Sequence, residues 1–580
     1  MKQLRHQADV CVVGGGMAGV CAALAAARHG AKVVLIHDRP VLGGNTSSEI
    51  RIHICGADRN NRIPNMRETG ILEELRLDNL RRNPHQNYSI WDLVLYEKVH
   101  FQPNLTLLSN CTCLKAETAG TRIANLTGWQ LTTETYHTVE ARVFIDCSGD
   151  GLLAPLTGAQ HRIGREARSE FNESIAPEQA DKQTMGMTCM FHAARHDTPQ
   201  PFEPPAWAHD FPREEDLPYG TSGHDWVEMG YWWVEVGGEH DSIHDTEKLR
   251  DELLKIVFGV WDHIKNHGDH GADNWALDWI GFLPGKRESR RCVGDHILTQ
   301  NDVEAEGRFE DVVAYGGWPM DDHHPAGFWA VKLGAPATIF HPAPSPYGIP
   351  YRCLYSRNID NLMFAGRCAS FTHAALSSTR VSGTASVLGQ AAGTAAAMAT
   401  ARQVTVRQIG QRHIVELQQA LLRDDCYLPR IRQEFSALTT SAELTASRGD
   451  PSPVRDGTSR PVGDEVHAWT AGPGDWIAYR FDSPRTVNEV SLVLDSGFDK
   501  KVIMSLHGSY GQVTRVPDVT PKDFRIEVFD DGSWRTLHEV RGNHQRLVRL
   551  PIGRTVEGVR FTLMTTWGAP ESRIYAFYLD

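Results

Sequence analysis

The sequence predicts a multidomain α/β protein with three parts: a three-layer domain on a parallel sheet, an α+β domain inserted into it, and a C-terminal antiparallel β-sandwich. Three observations carry this prediction. VVGGGMAGV at residues 12–20 joins an apolar strand to an alanine-rich helix through glycines. Strand-like segments resume at 142–147 and near 361–364 after long excursions. Beyond residue 450 the chain alternates short β-rich runs with turns. At 580 residues the chain is also longer than one core accommodates.

Taken in order, DVCVV at 9–13 reads as a buried strand, MAGVCAALAAARHG as a helix ended by Gly30, and AKVVLI at 31–36 as the next parallel strand. Together they make one βαβ unit. With the central strand at 142–147, residues 1–159 form the first part of the sheet domain. Residues 160–340 differ in texture, with tryptophans and histidines among polar turns. YWWVEVGG at 231–238 reads there as a strand, and DTEKLRDELLKIVFGVWDHIKNHG at 245–268 as an amphipathic helix. This segment is the inserted, substrate-facing domain. NLMFAGR at 361–367 restores a strand and tight turn, and SGTASVLGQAAGTAAAMATA from 382 is a helix of small residues that can pack closely. With the helix-forming stretch 405–425, residues 341–448 complete the sheet domain. SPVRDGTSRPVGD then links to the sandwich, residues 449–580, with strands such as DWIAYRF, NEVSLVLD and RIYAFYLD.

The formal net charge of -13 argues against a nucleic-acid partner. Eleven cysteines occur without a CxxC pair, so no zinc ribbon or dithiol motif is predicted, and buried thiols in a reducing compartment are expected. The first residues pass straight into a strand without the apolar stretch of a signal peptide, and no run approaches the roughly 18 apolar residues of a membrane span. A cytoplasmic location is the expectation.

Gly14, Gly16 and Gly19 form GxGxxG between strand and helix. The first permits the turn, the second admits a pyrophosphate, and the third lets helix and sheet pack closely. The helix amides then face negative phosphate. The second strand ends in His37 and Asp38, where a dinucleotide site usually carries a carboxylate for the ribose. Asp38 or His37 is expected at the ribose, with Arg39 toward the adenine or phosphate.

RPVLGGNTSSEIR at 39–51, DCSGDG at 146–151 and the stretch 361–399 complete a pattern. Over residues 8–440 the chain resembles the FAD-dependent oxidoreductase family of the glutathione-reductase-like type, and more distantly the fumarate reductase flavoproteins. The resemblance implies an FAD-binding Rossmann-like domain; noncovalent FAD is the expectation, with covalent attachment near His53 and Cys55 as the alternative. It places Gly43, Gly44, Asn45 and Ser48 beside the phosphates and ribityl chain. Ser148 and Gly149 would close over the adenosine side with Asp150 nearby, while Gly366 and Arg367 pass the pyrophosphate. Ser382, Gly383 and Thr384 would present helix-start amides to the flavin pyrimidine. The C-terminal module resembles galactose-binding or discoidin-like domains, with Trp469, Trp476 and Trp567 as sugar-stacking candidates. Carbohydrate binding, bracing and subunit contact are its open roles, the last giving a homo-oligomer.

Flavin oxidoreduction needs a substrate C–H and commonly a base. His373 precedes the flavin-facing helix, and His323 and His324 lie in DDHHP, so these histidines are the candidate proton acceptors. Arg290, in LPGKRESRR, is the candidate carboxylate or alkoxide anchor. The pairs His240/His244 and His263/His267 have i,i+4 spacing, but 27 histidines make such pairs common and no metal is assigned. The expected reaction is oxidation of a secondary alcohol in a sugar or other small polar substrate, with an unidentified electron acceptor. The alternatives are C–C oxidation or reduction beside a carboxylate, with Arg290 or Arg291 holding the acid, and a non-catalytic carbohydrate-binding protein on a vestigial flavoprotein fold.

Overall fold

The computed structural model describes residues 1–224, 226–505 and 511–580. Two compact units divide the chain: 1–57, 87–414 and 503–510 form the first, and 58–86, 415–502 and 511–580 the second.

The first unit is built on a mixed sheet. Strands β1 (Lys2–Val13), β2 (Val33–Ile36) and β3 (Leu105–Leu108) run parallel in the order β3-β2-β1. Strand β6 (Thr135–Asp146) lies parallel on the other side of β1 and pairs in turn with Leu362–Phe364. The first half of β6 instead pairs with the antiparallel ribbon β4 (Cys111–Ala119) and β5 (Arg122–Gln130). All four residues of β2 are buried, as continuous Val-Val-Leu-Ile requires of a strand covered on both faces. Helix α1 (Met17–Arg28) is almost wholly buried because alanine dominates it.

Against α1 lies the predicted small-residue helix, observed as Ser382–Arg402. A Cβ at Gly389 would sit 2.0 Å from the Ala18 carbonyl oxygen, and one at Gly393 would sit 2.1 Å from that of Ala22. The helices thus meet backbone to backbone, at a distance no side chain allows. Gly389→Ala should therefore lower stability by about 1–3 kcal/mol through overpacking, read as a lower urea midpoint with unchanged slope.

Residues 160–340 carry their own apolar cluster, in which the helix Thr246–Asn266 buries Leu253, Val257 and Trp261 against Phe191, Tyr231 and Trp233. The expected strand at 231–238 reduces to Glu235–Val236. Tyr231 and Trp233 enter the core from turns, so aromatic burial rather than pairing accounts for that run. Strand Phe191–Arg195 pairs antiparallel with Trp275–Ile280.

In the second unit, seven antiparallel strands among the described residues surround an apolar core of which Trp469, Tyr479, Phe561 and Phe577 are part. The long strands Trp476–Leu494 and Leu547–Thr566 pair with register shifts along their length, as expected where strands bend between the layers of a sandwich. Residues 58–86 join this unit through buried Arg67, whose guanidinium bonds Glu73 at 2.7 Å and the carbonyls of Ser496 and Lys500 at 3.2 and 2.9 Å. No helix among the described residues is long and apolar enough to cross a membrane.

Candidate active site

A cleft of about 400 Å³ opens where β1 gives way to α1. Its glycines are set by sterics. Gly14 has φ +101°, and a Cβ there would lie 2.3 Å from the Cys147 carbonyl oxygen. A Cβ on Gly19 would lie 1.7 Å from the Gly14 carbonyl oxygen. Gly16 differs: its nearest neighbour would be the Gly44 Cα at 3.9 Å, so a side chain there would fill the cleft instead of the core. Gly16 and Gly43 are bridged, drawing the second glycine turn alongside the first.

His37 holds this turn from beneath. Its Nδ1 accepts the Gly15 amide at 2.9 Å and its Nε2 donates to the Val41 carbonyl at 2.8 Å. Burial keeps its pKa below the usual histidine value, which preserves the neutral tautomer these two bonds require. With both nitrogens engaged, His37 is a loop brace and not the ribose contact expected of it. Asp38, more than half exposed, and Arg39 line the cleft beside it.

The opposite wall carries charge. Lys286 Nζ bonds Asp150 Oδ2 at 2.7 Å, and Arg367 Nη2 lies 3.5 Å from Asp150 Oδ1. Burial opposes the charge on Asp150, but Arg367 and Lys286 outweigh it and hold the carboxyl below its usual range. Arg367 Nη1 is buried with no hydrogen-bond partner among the described residues. A glycine cradle, the amino end of a helix and an orphaned guanidinium N–H in one cleft fit a pyrophosphate.

Gly14, Gly16, Asp38, Arg39, Gly43, Gly44, Asn45, Ser148, Gly149, Asp150, Gly366, Arg367 and Ser382 line this cleft. Gly19, Ser48, Gly383 and Thr384 do not. Gly19 sits behind the turn, the Ser48 amide donates to Asp92 at 3.1 Å, and Thr384 is fully buried. The Gly383 amide donates to the Cys55 carbonyl at 2.8 Å, which removes it from the donors expected to face a flavin. Thr112, Leu283, Pro284 and Arg380 also line the cleft, and the glycine motifs gave no signal for them.

The expected proton acceptors are arranged otherwise than expected. His373 is buried, with Nδ1 2.8 Å from Glu288 and Nε2 3.1 Å from Asp322. Burial works against its charge, but the two carboxylates outweigh it and push the pKa up to about 10. His323 lies between Glu235 at 2.6 Å and Asp321 at 3.2 Å, and those partners likewise raise its pKa against burial. The value of about 10 leaves His373 a cation near neutrality, and carboxylates engage both ring nitrogens of His323. His324 Nδ1 accepts the Ala326 amide at 3.1 Å, which leaves Nε2 as the donor of that ring. Arg290 donates to the Asp150 carbonyl at 3.3 Å, and Arg291 is buried between Glu166 and Glu288. Neither lines the cleft.

Arg51, which with Glu49 follows the flavin-facing loop in the sequence, lies one residue beyond the cleft-lining Ile50 and gathers partners the sequence did not indicate. Arg51 Nη1 donates to His192 Nδ1 at 3.3 Å and stacks over Trp279 at 4.2 Å. Because arginine only donates, the proton of neutral His192 is on Nε2. That atom is buried with no hydrogen-bond partner among the described residues. Burial and then Arg51 push the His192 pKa down to about 3, so the ring stays neutral. Glu49, in the cleft wall, has its carboxyl raised above the usual value by burial, against the pull of Arg39.

In the second unit Trp469 is buried with its Nε1 donating to the Arg448 carbonyl, so it is a core residue and not a sugar platform. Trp476 is half-buried, with the Arg560 guanidinium 5.8 Å from its ring centre. Trp567 is half-buried and lines a cleft of about 410 Å³ with Arg81, Arg515 and Asp518.

A βαβ unit in the parallel part of the sheet, with a β1–α1 turn that opens on a phosphate-fitting cleft, defines a dinucleotide-binding domain. The family model for FAD dependent oxidoreductase matches residues 9–421, and the chain belongs to that family. It is an FAD-dependent oxidoreductase. No curated protein matches by sequence. Among solved structures, the family 32 carbohydrate-binding module of Streptococcus pneumoniae EndoD is 21% identical. That match covers 25% of this chain and 99% of that one, with a TM-score of 0.19. Chitosan-binding module 1 of a Paenibacillus sp. IK-5 chitosanase/glucanase is 19% identical over 25% and 97%, with a TM-score of 0.18. L-proline dehydrogenase from P. horikoshii is 18% identical over 26% and 24%, with a TM-score of 0.17.

Proposed function

We propose that this enzyme oxidises a secondary alcohol of a sugar or related polar metabolite. The observation that carries the reading is the buried Nε2–H of His192, without a hydrogen-bond partner among the described residues, beside Arg51. Gly14, Gly16, Gly43, Gly44 and Arg367 would hold the FAD pyrophosphate, and Asp38 and Arg39 the adenosine half. When bound, FAD supplies the acceptor for the hydride leaving the substrate carbon. His192 Nε2–H donates to the substrate oxygen, and the Arg51 charge stabilises that oxygen as it loses its proton. Glu49 accepts the hydroxyl proton, a task its raised pKa suits. Trp279 supplies an apolar face of the kind that packs on sugar rings.

Arg51 also favours a second reading, a hydroxy acid whose carboxylate it would grip. Anaerobic flavin bleaching by a panel of sugars, polyols and hydroxy acids separates the two. Bleaching by hydroxy acids alone would defeat the sugar proposal. His192→Ala should slow bleaching by about 10²–10³-fold while the bound-flavin spectrum persists. Because Glu49 must be ionised to act, bleaching should rise with pH through an apparent pKa above the usual carboxylate value. Glu49→Gln should abolish that rise, and an unchanged pH profile in this variant would remove Glu49 from the mechanism. For the second unit, Trp567→Ala should weaken retention on immobilised carbohydrate if its cleft binds sugar; equal retention would assign that cleft no such role.

A further inference from the structure

The inserted segment holds a cluster that the flavin reading does not use. Four side chains converge at the far end of the helix Thr246–Asn266, about 25 Å along the helix from the cleft-lining Thr246. Glu214 comes from a single turn at 214–216, His224 follows the turn at 220–223, His263 lies in the last turn of the helix, and His270 in the loop beyond it. One ligand-capable atom from each lies within 4.8 Å of all the others. His224 Nε2 and His270 Nδ1 are 3.1 Å apart, His224 Nε2 and Glu214 Oε2 3.5 Å, and His263 Nε2 and Glu214 Oε1 3.4 Å. Four ligands held tetrahedrally at zinc bond lengths stand about 3.4 Å apart, so these spacings are those of a coordination shell.

The outer nitrogens fix the orientation. His263 Nδ1 faces the Phe211 carbonyl at 2.6 Å, and His270 Nε2 faces the His267 carbonyl at 3.1 Å, with Glu214 Oε1 3.5 Å from it. A carbonyl only accepts, so each ring carries its proton on that nitrogen and keeps a lone pair on the other, as ligand histidines do. The inward Nε2 of His263 is buried and without a hydrogen-bond partner among the described residues, and the residue is 1% exposed. A lone pair facing a carboxylate oxygen there calls for a cation between them. His267, the i+4 neighbour of His263, turns away to Asp262 at 3.3 Å.

We propose that Glu214, His224, His263 and His270 form a closed, four-coordinate site for Zn²⁺. Three imidazoles and one carboxylate match the borderline softness and tetrahedral preference of that ion. With no position left open, the metal is structural: it clips the 211–224 segment to the end of the helix and to the loop after it.

Elemental analysis of the full-length protein, purified without chelator and then dialysed against Zn²⁺, should give one zinc per chain. His263→Ala and His270→Gln should each hold less than about a tenth of that at the same free Zn²⁺. His240→Gln, at an exposed histidine outside the cluster, should leave the content unchanged. If the cluster variants do not fold, the wild-type protein still decides. Reconstitution with Co²⁺ should give the intense visible bands of a tetrahedral site, and a strong chelator should lower the melting temperature until Zn²⁺ is restored. Zinc content below about a tenth per chain after dialysis, metal retained undiminished in His263→Ala, or an octahedral Co²⁺ spectrum would each overturn the proposal.

Discussion

Gly19→Ala should yield protein without bound flavin, less stable by about 3 kcal/mol. The added methyl would stand 1.7 Å from the Gly14 carbonyl oxygen, inside the turn and against backbone that cannot rotate away. Helix α1 would have to move off β1, displacing both Gly14 and Gly16 from the cleft wall. Gly30→Ala is the matched control. Gly30 has φ +86° but nothing within 4 Å of its Cβ position, so that variant carries only the left-handed penalty of about 1–2 kcal/mol and keeps its flavin. Visible absorbance of the purified variants and their urea midpoints measure both effects. Normal flavin content in Gly19→Ala would show that the turn does not set the cofactor site.

The second large effect belongs to His373. Its imidazolium joins Glu288 and Asp322, Glu288 lies 3.4 Å from Arg291, and Glu166 accepts the His373 amide at 2.9 Å. His323 and His341 also help to hold the Asp322 carboxyl down, and the His373 charge acts on Glu173 as well. His373→Leu takes the cation from Asp322 and leaves buried Glu288 with Arg291 alone, and should cost about 3–5 kcal/mol. The pH dependence follows from the direction of the shift. The folded pKa of about 10 lies above the ordinary 6.5, so the stabilisation is complete below pH 6.5 and is lost as pH rises toward 10. Chemical denaturation at a series of pH values should therefore show wild-type stability falling over that window, with a flatter profile in His373→Leu. Flavin reduction per folded molecule should change little. A large loss of reduction rate in fully folded variant would return His373 to the chemistry.

The parts legible in the sequence were local. A strand, a glycine turn and a helix lie within about thirty residues, and each glycine answers a contact a few residues away or one strand over. The turn at 361–367 and the glycine-patterned helix from 382 were readable for the same reason, since a run of small residues permits the close packing at Gly389, where a Cβ would stand 2.0 Å from the Ala18 carbonyl oxygen. The histidines were misread because sequence places a residue near a site without saying what surrounds it. Residues 288 and 322 stand far from 373 in the chain, yet they convert a candidate base into a buried cation. His192 gave no signal, being one histidine of 27 in a short strand. The i,i+4 rule selected His267 as the companion of His263, whereas the ring faces Glu214, His224 and His270 across loops.

The sequence by itself determined the nucleotide-binding half of this protein: the βαβ unit, the glycine turns and the oxidoreductase family they announce. Backbone sterics impose those features, and sterics act over neighbouring residues. Tertiary structure alone decided which charges surround each titratable group and which groups face a common point. Protonation and coordination depend on burial and on charges a few ångströms away in space, and those neighbours come from distant parts of the chain.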